Sequence, residues 1–225
     1  MSSPKPHFTL FSAVGPPPNP WKVVMILEEL GLEYEPIYLN TGKGDTKLES
    51  YTKHNPNGRV PALIDHKNND FVVWESCAII QYLVEKYDTE RKISFAGFED
   101  HILLSQWLFF QASGQGPYFG QAGWFTYFHS EKIPSAVERY RKEIVRVIGV
   151  LDATLATRQW LVGDKPSAAD LSFIPWNYFV VKYLLAGWDG LKVDEFPHFR
   201  RWHNELLARP AVAKAIAMWE EKRSG

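Results

Sequence analysis

The chain has a single cysteine, Cys77. That excludes an internal disulfide and points to a reducing compartment. Net charge is nearly absent too: 25 basic against 26 acidic side chains leave −1. No basic stripe suggests nucleic acid, and no acidic tail suggests disorder. No apolar run is long enough to cross a bilayer. The N-terminus lacks the charged and apolar regions of a signal peptide, so a cytoplasmic location is expected. The seven histidines show no zinc-ligand spacing, and no metal is expected. Gly42-Lys43-Gly44 lacks the frame of a phosphate-binding loop. Internal repeats and low-complexity segments are missing as well.

What the chain does have is apolar and aromatic mass. Hydrophobic residues make up 45% of 225, with 9 Trp, 14 Phe and 10 Tyr. That is core enough for one large domain or two small ones, and the aromatic surplus suits a binding cleft or a buried interface. Phe8-Thr9-Leu10-Phe11 reads as a first strand, and Ser12 to Pro18 as a loop. Asn19 reads as an N-cap with Pro20 at the first helical position. Val23, Ile26, Leu27 and Leu30 follow at helical spacing, and Gly31 is the stop. Tyr34 to Leu39 reads as a second strand, and 42–53 as a loop with a short helix. Ala62-Leu63-Ile64 and Phe71-Val72-Val73-Trp74 read as a strand pair, and Ser76 to Tyr87 as a helix. Strands then cease. Beyond a polar linker at 89–97 the periodicity is helical. One helix carries Leu103, Gln106, Trp107 and Phe110 and is interrupted at Gly114-Gln115-Gly116-Pro117. Another runs from about Pro134, with a stripe from Val137 through Ile144, Ile148 and Leu151 to Leu155. The expected fold class is α/β plus all-α. Domain 1–88 has the order β-α-β-α-β-β-α, and domain 98–225 is all-helical.

The most informative stretch is Asn55-Pro56-Asn57-Gly58-Arg59-Val60-Pro61, followed by the strand pair and Trp74-Glu75-Ser76. A proline just before a strand need not donate to the ladder. A cis bond there would turn the Val60 carbonyl and amide outward for a ligand. Ser76 as N-cap, with Glu75 beside it, sets a hydroxyl and a carboxylate at the positive end of a helix. A carboxylate suits an ammonium group and free amides suit a carboxylate, so the two pieces together describe a pocket for a zwitterionic amino-acid head. A second signal lies about 100 residues on. Ser167 and Asp170 have the spacing of a capping box, with Asp in place of the usual Glu, ahead of the apolar Leu171, Phe173, Ile174 and Trp176. A folding cap accounts for this pair better than a catalytic acid.

These motifs resemble those of the glutathione transferases. The chain is similar to the class containing the yeast nitrogen-regulatory prion protein and the bacterial disulfide-bond oxidoreductases. The likeness is carried by Pro18-Asn19-Pro20-Trp21-Lys22-Val23, Asn55 to Leu63 and Trp74-Glu75-Ser76. It extends through Trp107 to Gln111, Gly120-Gln121, Phe128-His129, Ala136 to Tyr140 and Trp160 to Asp164. The resemblance implies a thioredoxin-like domain followed by an all-helical one, and a homodimer. It also implies a cytoplasmic detoxification enzyme with glutathione as co-substrate, acting as a transferase or as a disulfide and peroxide reductase. A non-catalytic regulator binding a transcription factor, or a carrier of apolar molecules, would use the same fold.

Glutathione chemistry needs a thiolate. Bringing a thiol from pKa ~8.5 to near 6.5 takes roughly 2.7 kcal/mol of preference for the anion. One hydrogen bond to a charged group supplies ~1.5–3 kcal/mol, and a helix N-terminus another ~0.3–1. Asn19 is placed to be that donor: its oxygen can cap the helix while its NH2 points outward. A plain N-cap fits the same residue. The class resembled uses an Asn here, normally followed by Gly where this chain has Pro20. Ser12, seven residues earlier, is the rival thiolate donor. Cys77 has no second cysteine near it and reads as a buried, inert thiol. By resemblance, Val60 (followed by Pro61) pairs its backbone with the cysteinyl part of glutathione, and Glu75 and Ser76 hold the γ-glutamyl end. Lys47 lies near the glycyl carboxylate, or is a solvated surface lysine. Arg139 reaches the tripeptide from the helical domain, or pairs with Glu138 or Glu143. An apolar second substrate implies a cleft, for which Trp124 and Tyr127 are the candidates, flanked by Pro117-Tyr118-Phe119 and faced by Ala13 to Pro16.

Overall fold

Six consecutive residues, Phe8–Ala13, form strand β1, and all six are buried. Position explains it: the sheet order is β2-β1-β3-β4, so β1 has a neighbour on each side. A computed structural model describes residues 6–15, 17–185, 188, 190 and 193–224. β2 (Tyr34–Leu39) runs parallel to β1, with Phe8 opposite Tyr34 and Ala13 opposite Leu39. A parallel neighbour requires a crossover, and helix α1 (Pro18–Leu30) supplies it. Gly31 ends α1 at φ 65°, with its N–H and that of Leu32 closing on the last carbonyls. A short helix α2 (Glu49–Thr52) precedes β3 (Ala62–Asp65). β3 is antiparallel to β1, and β4 (Phe71–Trp74) is antiparallel to β3. Helix α3 (Ser76–Tyr87) closes the thioredoxin-like arrangement. Leu10, Val23, Ile26, Leu27, Ile79 and Leu83 are fully buried between sheet and helices.

The chain divides into two units, one running to Lys92 and resuming at Pro210, the other Ile93–Arg209. This departs from the helical domain expected at 98–225. The last helix, which we call α9 (Pro210–Ser224), packs on α1 instead. Trp219 stacks on Trp21 with ring centroids 5.7 Å apart and planes 12° from parallel, and Lys214 pairs with Glu28 at 2.7 Å. An indole on the outer side of α1 needs an apolar cover, and α9 provides it.

In the second unit, helix α4 (Phe98–Phe110) passes through a π turn, Gln111–Gln115, into α5 (Gly116–Gly123). The interruption expected at Gly114 to Pro117 is therefore a π turn within a continuing helix. Pro117 falls in the first turn of α5, and because the helix continues, its missing N–H interrupts the ladder just where the π turn lies. Gln111, Gln115 and Asn177 fill the widened turn: Gln111 Nε2 donates to Gln115 Oε1 at 3.0 Å, and Gln115 Nε2 to Asn177 Oδ1 at 2.7 Å. A second π turn, Trp124–Phe128, precedes α6 (Pro134–Leu155), whose Ile144, Val147, Ile148, Leu151 and Leu155 are buried. α7 (Ala168–Phe179) starts at the capping box, with Ser167 N-cap and Asp170 both in place.

α8 (Pro197–Leu207) buries His203 flat against Phe199, 5.6 Å between centroids. Burial pushes the His203 imidazole pKa down to about 4. In the unfolded chain a histidine titrates near 6.5, so as pH falls the unfolded state takes the proton first. Stability fully present above pH 6.5 therefore drains away between 6.5 and 4, by roughly 2–3 kcal/mol at pH 4.5. The urea midpoint is expected to fall over that window, and His203→Gln to flatten the slope. An unchanged slope in the variant removes His203 as the cause.

Candidate functional site

Ala62 pairs with Phe11 on one side and with Trp74 on the other. The residues leading into β3, those following β1 and those following β4 therefore leave the sheet at the same end. That register gathers Val60, Pro61, the first turn of α1 with Asn19, and the Glu75-Ser76 step. A further contact ties the two helix starts together: Lys22 Nζ donates to Cys77 Sγ at 3.5 Å. Six of the nine residues singled out in the sequence (Asn19, Lys47, Val60, Pro61, Glu75 and Ser76) lie in this unit; Arg139, Trp124 and Tyr127 lie in the other.

The local geometry corrects two expected caps. α1 starts at Pro18 with Pro17 as N-cap, so Asn19 is the second helical residue and its oxygen is not the cap. Of the first four helical residues, Pro18 and Pro20 have no N–H, so few orphan donors are left for a capping side chain. α3 starts at Ser76 with Glu75 as N-cap, one residue earlier than expected. Glu75 sits at φ 69°, ψ 113°, a region that L-residues other than Gly rarely occupy, at a cost of about 1–3 kcal/mol. Its carbonyl accepts from Ile79 N at 2.9 Å and so begins the helix. Ser76 is buried and the Glu75 side chain is exposed.

The loop before β3 is fixed from within. Asn55 Nδ2 and the Tyr51 hydroxyl both donate to Arg59 O, and Asn57 N donates to Asn55 Oδ1 at 3.0 Å. Gly58 sits at φ 61°, and a Cβ there would meet Thr46 O at 2.7 Å, so only glycine fits. Lys47 Nζ donates to Gly58 O at 2.9 Å and to Asn57 O at 3.2 Å. Lys47 is thus bound to the loop rather than merely solvated. Val60-Pro61 is a cis peptide bond, and Val60 lies ahead of the ladder, which begins at Ala62.

Lys22 is the feature that sequence reasoning passed over. It is 1% exposed, and burial pushes its ammonium pKa down, opposed by Cys77 and by Glu75. The signal was present: a lone lysine inside the run from Trp21 to Leu27, on the buried side of α1. Cys77 itself is half-buried, with this ammonium against its sulfur, where a buried inert thiol was expected. Ser12 lies within β1 and is buried, whereas the sequence suggested a loop.

In the helical unit Arg139 pairs with Glu143 at 2.6 Å, as Arg146 does. Trp124 and Tyr127 are about half exposed, and the Tyr127 hydroxyl donates to Tyr183 O at 2.7 Å. Phe119 is fully buried and belongs to the core rather than to a cleft. Ala13 is a buried strand residue, and Pro16 lies outside the described residues. Among the described residues no group of His, Cys, Asp and Glu gathers as a metal site.

Comparison with known proteins bears on the family. The family model "Glutathione S-transferase, N-terminal domain" matches residues 6–85, and "Glutathione S-transferase, C-terminal domain" matches 117–210. The chain is 53% identical over 216 residues to glutathione S-transferase 2 of Schizosaccharomyces pombe, covering 92% of this chain and 93% of that protein. The solved structure of glutathione transferase URE2P6 from Phanerochaete chrysosporium, in complex with oxidized glutathione, is 54% identical. Its TM-score is 0.92, with 96% of this chain and 98% of that one covered. URE2P5 from the same organism, cocrystallized with 1-(S-glutathionyl)-2,4-dinitrobenzene, is 53% identical with TM-score 0.91, covering 99% and 98%.

Proposed function

From the premise that this chain belongs to the glutathione S-transferase family, we propose that Asn19 holds the sulfur of bound glutathione as a thiolate for transfer to a second substrate. The co-substrate of this glutathione transferase is glutathione. The cysteinyl part lies along Val60, beside Pro61, through main-chain bonds. The γ-glutamyl ammonium meets Glu75 and its carboxylate meets the Ser76 hydroxyl and the amides of the α3 start. Lys47 stands toward the glycyl carboxylate; for Arg139, which the family resemblance links to the tripeptide, the pair with Glu143 is the competing role. Trp124 and Tyr127 line the place of an apolar partner.

The observation that carries this reading is the sheet register, which brings Asn19, Val60, Glu75 and Ser76 to one end. The thiolate attacks either an electrophilic carbon, expelling its leaving group, or a disulfide sulfur, releasing the other sulfur as a thiolate. Likeness to the URE2-type transferases and to URE2P6, solved with oxidized glutathione, favours exchange at sulfur. Steady-state rates with a model haloarene, hydroxyethyl disulfide and cumene hydroperoxide test this reading, alongside a crystal soaked with glutathione. The fastest turnover is expected with the disulfide, and the sulfur within hydrogen-bond reach of Asn19 Nδ2. An empty site, or sulfur turned away from Asn19, overturns the assignment.

The protein acts as a homodimer in this reading. α4 leaves Phe98, Ile102 and Phe109 exposed in one stripe, and the edge strand β4 leaves Phe71 and Trp74 exposed. Apolar surface of that extent asks for a cover, which a second copy supplies. Sedimentation velocity is expected to show a dimer that Ile102→Glu shifts toward monomer. A monomeric wild-type chain at micromolar concentration refutes this.

A further inference from the structure

Within the helical unit a cavity of about 450 Å³ opens between the π turn Trp124–Phe128, the start of α6 and Trp188. Phe125, Ile133, Pro134 and Val137 give it apolar walls. Phe125 is braced by stacking on Tyr140, 5.6 Å between centroids and 12° from parallel. None of Trp124, Tyr127 or Arg139 lines this cavity, so it is not the cleft assigned to the second substrate.

Among the described lining residues two cations, Lys132 and Arg141, stand against one carboxylate, Glu138. Glu138 is engaged by Lys142 at 2.6 Å. Arg141 has no carboxylate partner among the described residues. Its guanidinium lies over the Trp188 ring at 5.0 Å, and its Nε is buried without a hydrogen-bond acceptor. Lys132, which also lines the cavity, donates to the Thr126 carbonyl oxygen at 3.5 Å. Stacking on an indole covers one face of a guanidinium and leaves its N–H edges for an anion. Two cations of one sign beside a flat apolar wall select a ligand that is planar and anionic at once.

We propose that this cavity binds a small aromatic carboxylate, with its carboxylate on Arg141 and Lys132 and its ring against Phe125 and Val137. The volume suits a one- or two-ring molecule. The site is independent of the glutathione assignment, because none of the residues assigned to glutathione or the second substrate lines it.

Isothermal titration with 1-naphthoate tests the proposal, using full-length protein saturated with S-hexylglutathione so that the thiol site is already filled. One saturable site per chain is expected. Arg141→Met is expected to weaken it at least tenfold and Lys132→Met severalfold, with glutathione turnover unchanged in the latter. The neutral isostere 1-naphthalenemethanol should bind at least tenfold more weakly. If Arg141→Met fails to fold, the alcohol and Lys132→Met decide alone. Absence of saturable heat, equal binding of acid and alcohol, or wild-type affinity in Lys132→Met and in any folded Arg141→Met overturns the site.

Discussion

Asn19→Ala is expected to lower kcat/KM for glutathione by about 10- to 150-fold at pH 6.5, the loss of one hydrogen bond to a charged sulfur. The size follows from what α1 can offer. A helix N-terminus ordinarily presents four orphan amides, but here Pro18 and Pro20 stand in the first turn. The backbone contribution is thereby thinned, and in the proposed mechanism the side-chain NH2 of Asn19 carries a larger share of the work. The pH profile separates this role from a structural one. A thiolate donor lowers the thiol pKa, so its removal moves the rising limb of the pH–rate curve upward by about one to two units. Activity then recovers at high pH, where glutathione ionises unaided. A folding defect would depress the curve at every pH. Full activity of the variant at pH 6.5 would remove Asn19 from the mechanism.

How far the sequence reveals this site depends on the reach of each signal. The strands, the Gly31 stop and the full extent of α3 rest on periodicity and on residues with special backbone preferences, so they are visible within a window of ten residues. The Val60-Pro61 and Glu75-Ser76 steps are visible for the same reason. The caps, misread by two residues at α1 and by one at α3, show the limit. Three prolines near one helix start, Pro17, Pro18 and Pro20, all tolerate an N-terminal position, and only the observed dihedrals choose among them. Glu75 takes a left-handed conformation that no propensity would assign to a glutamate. Contacts between distant segments were out of reach. Lys22 meets Cys77 55 positions away. Trp219 covers Trp21 from the far end of the chain, and no local pattern connects either pair.

Asp170→Ala is the substitution expected to damage folding most. The carboxylate is fully buried. One oxygen accepts from Leu161 N at 2.9 Å and Trp202 Nε1 at 2.8 Å. The other accepts from Ser167 N at 2.8 Å and Ser167 Oγ at 2.6 Å. This one side chain therefore joins the start of α7, the segment before it and the indole of α8. Burial pushes the Asp170 pKa up, and those donors oppose the shift. Alanine leaves the buried donors without acceptors, at about 1–3 kcal/mol each. The sum, roughly 4 kcal/mol or more, is a large fraction of the ~5–15 kcal/mol that holds a domain folded. Asp170→Asn should fall between wild type and alanine: its oxygen keeps one pair of donors, while its NH2 confronts the other pair. Urea unfolding followed by far-UV circular dichroism and by tryptophan fluorescence is the measurement, Trp202 being one of nine tryptophans that report. Glutathione binding should persist in any folded fraction, since Asn19, Val60 and Glu75 lie in the other unit. An alanine variant whose urea midpoint matches wild type would mean that water satisfies those donors, and that the capping box is dispensable to the fold.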